Sequence, residues 1–177
     1  MRPAPSHLDA ILLQRKPLAS QKGQSGVGGR IGCECGSTEF TLQYVGNRVN
    51  SDGSPFLRAT MHWGRTFFSV AIECARCSKA RTLLDLHRHG WEGLLCSTAN
   101  DRMAKPPRPK QWTCPSCRFS VHEINIEVRG DDKSEALKNG EGALNESNWF
   151  DAFGSMSIST VCASCGAAQW AVDCETQ

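Results

Sequence analysis

No run of the sequence approaches the ~18 consecutive apolar residues that a membrane-crossing helix needs. The longest early one, Ala10-Ile11-Leu12-Leu13, is also too short for the core of a secretion signal. With 40% apolar residues and a mean hydropathy of −0.38, the chain reads as soluble, globular and cytoplasmic. Acids are scarce at the start: residues 1–30 hold five Lys/Arg and one Asp. That segment also carries Pro3, Pro5, Pro17 and a glycine-rich stretch over 23–29, and has little apolar surface with which to order itself. It is expected to be a disordered or loosely docked basic tail, with an organelle transit peptide as the alternative. A short amphipathic turn around Leu8 to Leu13 is its one docking element. Catalytic signatures are missing as well. His122-Glu123 lacks the second histidine of a metalloprotease helix, and there is no phosphate loop, nucleophile elbow or zinc-deaminase signature. The expectation is a protein that is not an enzyme.

What the sequence has in excess is cysteine, ten in 177 residues. Disulfides require an oxidising compartment, and no export signal is visible. The cysteines also come in tight pairs, and a disulfide that closes a tiny loop cross-links little. Close pairs suit a tetrahedral ion, because one short turn then supplies two thiolates. Cys74/Cys77, Cys114/Cys117 and Cys162/Cys165 have two residues between them, while Cys33/Cys35 has one. Gly166 supplies the positive φ such turns often need. The assignment is two structural zinc ions. Cys33, Cys35, Cys74 and Cys77 hold the first; Cys114, Cys117, Cys162 and Cys165 hold the second. His62, His87 and His89 are reserves should one of the first pair not ligate. Cys96 and Cys174 are left over; Cys174 reads as a small packing residue near the last strand, and no role is assigned to Cys96.

The pairs sit in a repeated plan of turn, strand, loop, strand, turn, strand. Phe40, Leu42 and Tyr44 alternate after the first pair, and Ile124, Ile126 and Val128 after the third. Returning strands over 67–72 and 156–161 deliver the other pairs. Asp85 and Asp173 each lie eight residues beyond the last cysteine of their half, and Trp63 and Trp149 each open the returning segment. Such internal repetition predicts duplicated modules. The fold class is therefore mainly β, a small α+β fold. Module 1 spans 31–99, a proline-rich extended linker spans 100–111, and module 2 spans 112–177 with a short helix near 132–138. The arrangement resembles the zinc-ribbon group of folds, in which two cysteine turns on neighbouring hairpins clamp one ion. The segment Leu83-Leu84-Asp85-Leu86-His87-Arg88-His89-Gly90-Trp91-Glu92 is similar to one in uncharacterised bacterial ribbon proteins. The resemblance implies a zinc-stabilised fold and brings no activity with it.

Two binding roles compete. Residues 112–177 carry four Lys/Arg against ten Asp/Glu, a net of −6. Asp131, Asp132, Glu135, Glu141, Glu146 and Asp151 form either a solvated surface or a docking face for a basic protein, as in a toxin-neutralising (immunity) protein or an adaptor. The alternative is nucleic-acid binding. It would use the basic tail, Arg76, Lys79 and Arg81 around the second cysteine turn, and Arg102, Lys105, Arg108 and Lys110 in the linker.

Overall fold

The structure, a computed structural model, describes residues 2–21, 24–51 and 54–175. Asp52 and Gly53, at the centre of the turn that Asn50-Ser51-Asp52-Gly53-Ser54-Pro55 predicts, lie outside the described residues. The chain is mainly β, as its alternating pattern predicts. A short helix α1 (Ser6–Asp9) is followed by strands β1 (Leu12–Gln21), β2 (Gln24–Ile31), β3 (Glu39–Val45), β4 (Asn47–Ser51) and β5 (Ser54–Arg58). Next come β6 (Thr60–His62), β7 (Arg65–Phe67), β8 (Ser69–Cys74), β9 (Ala80–Asp85), helix α2 (Ala99–Met103) and β10 (Lys110–Gln111). The last part holds β11 (Val121–Asp131), α3 (Lys133–Asn139), β12 (Ser155–Cys162) and β13 (Ala168–Glu175). No helix among the described residues is long and apolar enough to cross a membrane.

One eleven-stranded sheet contains every strand except β6 and β7, which form a hairpin of their own. Its main order is β4-β5-β13-β12-β11-β3-β8-β9. β11 pairs with β12 along one edge, from His122 opposite Cys162 to Arg129 opposite Ser155. Its other edge is shared. Val121 to Glu123 pair with β3, and Asn125 to Asp131 pair with β2. The two cysteine-bearing halves therefore join through β3 and β11 into one sheet. They join again at its far side, where Leu57 of β5 bridges Val172 of β13 in parallel. Alternation decides which face is buried. Phe40, Leu42, Val70, Ile72, Ile124, Ile126, Val128, Met156 and Ile158 belong to a single core that draws on both halves.

The segment expected to be a tail is part of this sheet. β1 and β2 form a hairpin, β2 docks along β11, and Ala4, Leu8, Ile11, Leu12, Val27 and Ile31 enter the common core. Composition misleads here because glycine is what lets the strand fit. β2 passes close enough to β1 and β11 that a Cβ at Gly26 or Gly29 would meet a backbone carbonyl within 2.9 Å. Arg2 is the other anchor. It is 1% exposed and donates hydrogen bonds to the carbonyls of Asp131, Phe150 and Ala152 at 2.6–3.1 Å. Its guanidinium lies 4.9 Å from the centre of the Trp149 ring. Burial lowers its pKa to about 10, against the opposing pull of Asp131, Asp132 and Asp151. Gly130 makes room for it, since a Cβ there would come within 2.9 Å of the guanidinium.

The expected linker is only partly extended. Thr98 accepts from the Asp101 N–H while the Asp101 carboxylate accepts from the Thr98 N–H, a capping box that starts α2 just before the linker and carries it to Met103. Residues 104–109, with their three prolines, have no regular structure, and β10 then pairs with β3. A second, smaller core of Ala136, Leu144, Trp149 and Ala152 gathers where α3 and its following loop meet Trp91, Leu94 and Leu95.

Replacing Arg2 by Ala strips three carbonyls of their donor, at an expected cost of about 2–4 kcal/mol in urea-denaturation measurements. A second consequence concerns pH. His7 and His89 stack with ring centroids 3.8 Å apart. The His7 Nε2–H donates to the Leu83 carbonyl, and His89 Nδ1 accepts from the Asp85 N–H. Burial lowers the pKa of both rings, and at His89, whose pKa falls to about 3, repulsion from His7 when that ring is protonated and from Arg88 adds to it. The unfolded chain protonates these rings near pH ~6.5. It therefore binds more protons than the folded chain below that value, so stability falls as the pH drops from about 6.5 toward 3. The double variant His7→Phe, His89→Phe flattens this slope when unfolding free energies at pH 7 and pH 5 are compared.

Candidate metal centres

Each cysteine pair occupies a turn of one design. In all four turns the first cysteine's N–H donates to the carbonyl of the second residue past the pair. Cys33 reaches Ser37, Cys74 reaches Lys79, Cys114 reaches Phe119 and Cys162 reaches Ala167, at 2.8–3.1 Å. The first cysteine's own carbonyl accepts from the residue that follows the pair: Gly36, Ser78, Arg118 or Gly166, at 2.7–2.9 Å. That residue is left-handed every time, with φ of 84°, 59°, 64° and 70° respectively. Cys33-Glu34-Cys35 thus closes the same turn with one residue fewer. The sequence betrays the conformation at Gly36 and Gly166, but Ser78 and Arg118 give no such signal.

The turns meet in twos, in the combination the spacing predicts. The sulfurs of Cys33, Cys35, Cys74 and Cys77 lie within 4.8 Å of one another, as do those of Cys114, Cys117, Cys162 and Cys165. Cys33 to Cys77 is 3.5 Å and Cys35 to Cys74 is 3.6 Å. Cys114 to Cys165 is 3.6 Å and Cys117 to Cys162 is 3.5 Å. A tetrahedral ion with Zn–S bonds of ~2.3 Å has sulfur–sulfur edges of roughly 3.8 Å, so the spacing fits a metal. A disulfide needs ~2.05 Å, and all ten cysteines are free thiols. Each group could hold one metal ion, and the pair of groups is compatible with two zinc ions.

The electrostatics agree. Burial raises the Cys74 thiol, yet the N–H groups of Cys77 and Arg76 and the thiols of Cys35 and Cys33 outweigh it and bring the pKa to about 6. Cys114 is likewise raised by burial and then lowered to about 6, by the N–H groups of Cys117 and Ser116 and by the thiols of Cys165 and Cys117. One thiolate per group is thus prepared by the backbone. The opposite member resists. The Lys79 N–H lowers Cys77, but the other sulfurs push it up to about 12; the Ala167 N–H lowers Cys165, but the other sulfurs push it to about 12 too. Four thiolates cannot share so small a volume without a cation, and a divalent metal supplies one.

The two centres are copies in register. Phe40 pairs with Cys74 in β3–β8, His122 pairs with Cys162 in β11–β12, and Phe40 and His122 pair with each other. Both returning hairpins carry a bulge at the same step, Val70/Ala71 and Ile158/Ser159. Asp85 lies opposite Ser69 and Asp173 opposite Ser157, equivalent places in the two copies. The tryptophans are not equivalent: Trp149 is buried in the small core, whereas Trp63 stands in solvent at the tip of the β6–β7 hairpin.

The reserve histidines sit apart from the sulfurs. His87 bonds to the Thr66 carbonyl, His89 stacks on His7, and His62 packs edge-on against Trp63 and Phe67. Cys174 is half-buried, and burial, with Glu92, Asp173 and Glu175, raises its thiol to about 11. Cys96 is exposed on a short π-helical turn over Glu92–Cys96.

The acidic residues have work inside the chain. Asp151 accepts from the N–H and hydroxyl of Ser6, Asp131 and Asp132 flank Arg2, Glu146 pairs with Lys133, and Glu135 lies 4.0 Å from Lys138. Among the basic residues, Lys79 and Arg81 both bond Glu34 in the first turn, which ties the two halves of centre 1 together across the metal position.

Ser78 and Arg118 hold strained conformations that glycine adopts freely. Ser78→Gly and Arg118→Gly are expected to raise the urea-unfolding free energy of metal-loaded protein by ~0.5–1 kcal/mol each, and Gly166→Ala to lower it by about 1 kcal/mol.

Comparison with protein-family models, curated proteins and solved structures finds no match. The two four-cysteine clusters are consistent with zinc-ribbon-like modules on geometry alone.

Proposed function

We propose that each four-cysteine group holds one structural zinc ion and that the protein is a non-catalytic binding protein whose sheet the two ions brace. The supporting observation is the closed donor set. Four sulfurs surround each position and leave zinc no vacant place for water or substrate, which separates structural from catalytic zinc sites. A reducing, cytoplasmic setting suits ten free thiols.

For the partner, a basic protein docked on the acidic second half has the net charge of −6 in its favour. A toxin-neutralising protein would be one form of it. Five of the six carboxylates named for that face lie beside a cation or donor of the same chain, so the field they offer outward is reduced. The alternative, nucleic-acid binding, has in its favour a cleft lined by Trp63, Arg65, Lys105 and Arg108.

Metal analysis of the purified protein is expected to give about two zinc per chain. Cys117→Ser with Cys165→Ser is expected to leave about one. Zinc uptake by the reduced apo-protein should release protons, and its affinity should fall as the pH drops through the thiol range. Metal-free protein that keeps its native circular dichroism and urea midpoint would sink the structural role.

A further inference from the structure

The β6–β7 hairpin and the segment after α2 enclose an open cleft of about 600 Å³. Trp63, Phe67 and Met103 supply its apolar surface, and Arg65, Lys105 and Arg108 its charge. No carboxylate lines it among the described residues. Arg65 is held by Asp101 and by the Asn100 carbonyl, while Lys105 and Arg108 have no ion-pair partner among the described residues. Pro106 and Pro107 stiffen the wall on which those two cations stand.

Trp63 is 88% exposed and Met103 84%. Leaving an indole in water forgoes burial, and Trp63 also takes the left-handed conformation, with φ of 52° ahead of Gly64 at 73°. The two-residue turn prefers Asn-Gly or Asp-Gly at these places. His62 meets the indole in a T-shaped contact, at 5.7 Å and 86° between planes, and the 88% exposure of Trp63 leaves most of the ring open to solvent. The chain thus maintains a bare, flat aromatic surface beside two unneutralised cations.

We propose that this cleft binds single-stranded nucleic acid, with a base stacked on Trp63 and flanking phosphates held by Lys105 and Arg108. An exposed aromatic ring beside two cations matches a base with its flanking phosphates along a single strand. A duplex keeps its bases stacked on one another and offers the indole nothing. An acidic peptide would satisfy the cations but has no planar group at each repeat for the ring. The inference rests on the non-catalytic binding role proposed above, and it is separable from the zinc assignment because metal content is read on the same samples.

The test is fluorescence anisotropy of short labelled oligo(dT) and oligo(U), and of a duplex of equal length, with the full zinc-loaded chain at about 50 mM salt. Both single strands are expected to bind, at least tenfold tighter than the duplex; preference for oligo(U) over oligo(dT) would point to RNA and equal binding to either source. Trp63→Ala is expected to weaken binding about tenfold or more, and Trp63→Phe to restore most of it. Lys105→Glu with Arg108→Glu is expected to weaken binding and to flatten the slope of log K against log salt by about 0.7 for each phosphate no longer neutralised. Zinc content and circular dichroism should match wild type in every variant. Absence of oligonucleotide binding, variants that bind like wild type, or a glutamate-rich peptide that binds more tightly than either strand would each overturn the proposal.

Discussion

β11 satisfies its backbone groups on both edges, and everything else in the molecule is placed by that. Its first residues pair with β3 and fasten the two cysteine-bearing halves together; its later residues pair with β2 and draw residues 2–31 into the fold. β12 covers the other edge throughout. A slip of one residue in either register would turn Ile124, Ile126 and Val128 from the core to the surface. The same slip would carry Cys162 away from the start of β11, where Cys114 and Cys117 wait. Metal geometry and sheet register are therefore one constraint, and an ion at each centre would fix strand ends that hydrogen bonds alone could let slide.

Residues that act through local spacing were legible in the sequence. The eight cysteines announce their two groups, the alternation at Phe40-Leu42-Tyr44 and Ile124-Ile126-Val128 announces β3 and β11, and Asp85 and Asp173 mark a repeat that the register later matches. What depends on distant partners was not legible. β2 is Gly-Val-Gly-Gly over 26–29, which looks like a linker until β1 and β11 are seen pressing on both its edges. Likewise Arg2 reads as a charge near a chain end. Its role depends on carbonyls more than 120 residues away, which no local pattern encodes. The left-handed Ser78 and Arg118 were hidden for the opposite reason: the turn imposes a conformation that their own residue types do not favour. The capping box Thr98-Ala99-Asn100-Asp101 was legible and overshadowed by the prolines behind it.

Charge counted by segment is unevenly spread, with a basic beginning and an acidic second half. In the fold some of these groups meet. Arg2 sits among Asp131, Asp132 and Asp151, Arg30 pairs with Glu123, and Ser6 donates to Asp151. The −6 of the second half is in part the counter-charge of the first thirty residues, so neither segment's charge alone measures the field a partner would meet.

If the closed four-thiolate sites hold structural metal as proposed, recognition is to be sought where the two copies of the module differ. They agree in their turns, bulges and core strands, and they differ in what is inserted between the cysteine turns. The second insert, α3 and its loop, folds back on a small core with Trp149 inside. The first insert sends β4 and β5 across to brace β13 and then spends β6 and β7 on a hairpin outside the main sheet, with Trp63 at its tip. That hairpin adds no strand to the main sheet and, although Phe67 is buried, leaves its largest side chain in solvent. The proposed nucleic-acid cleft gives that side chain a contact that the rest of the fold does not.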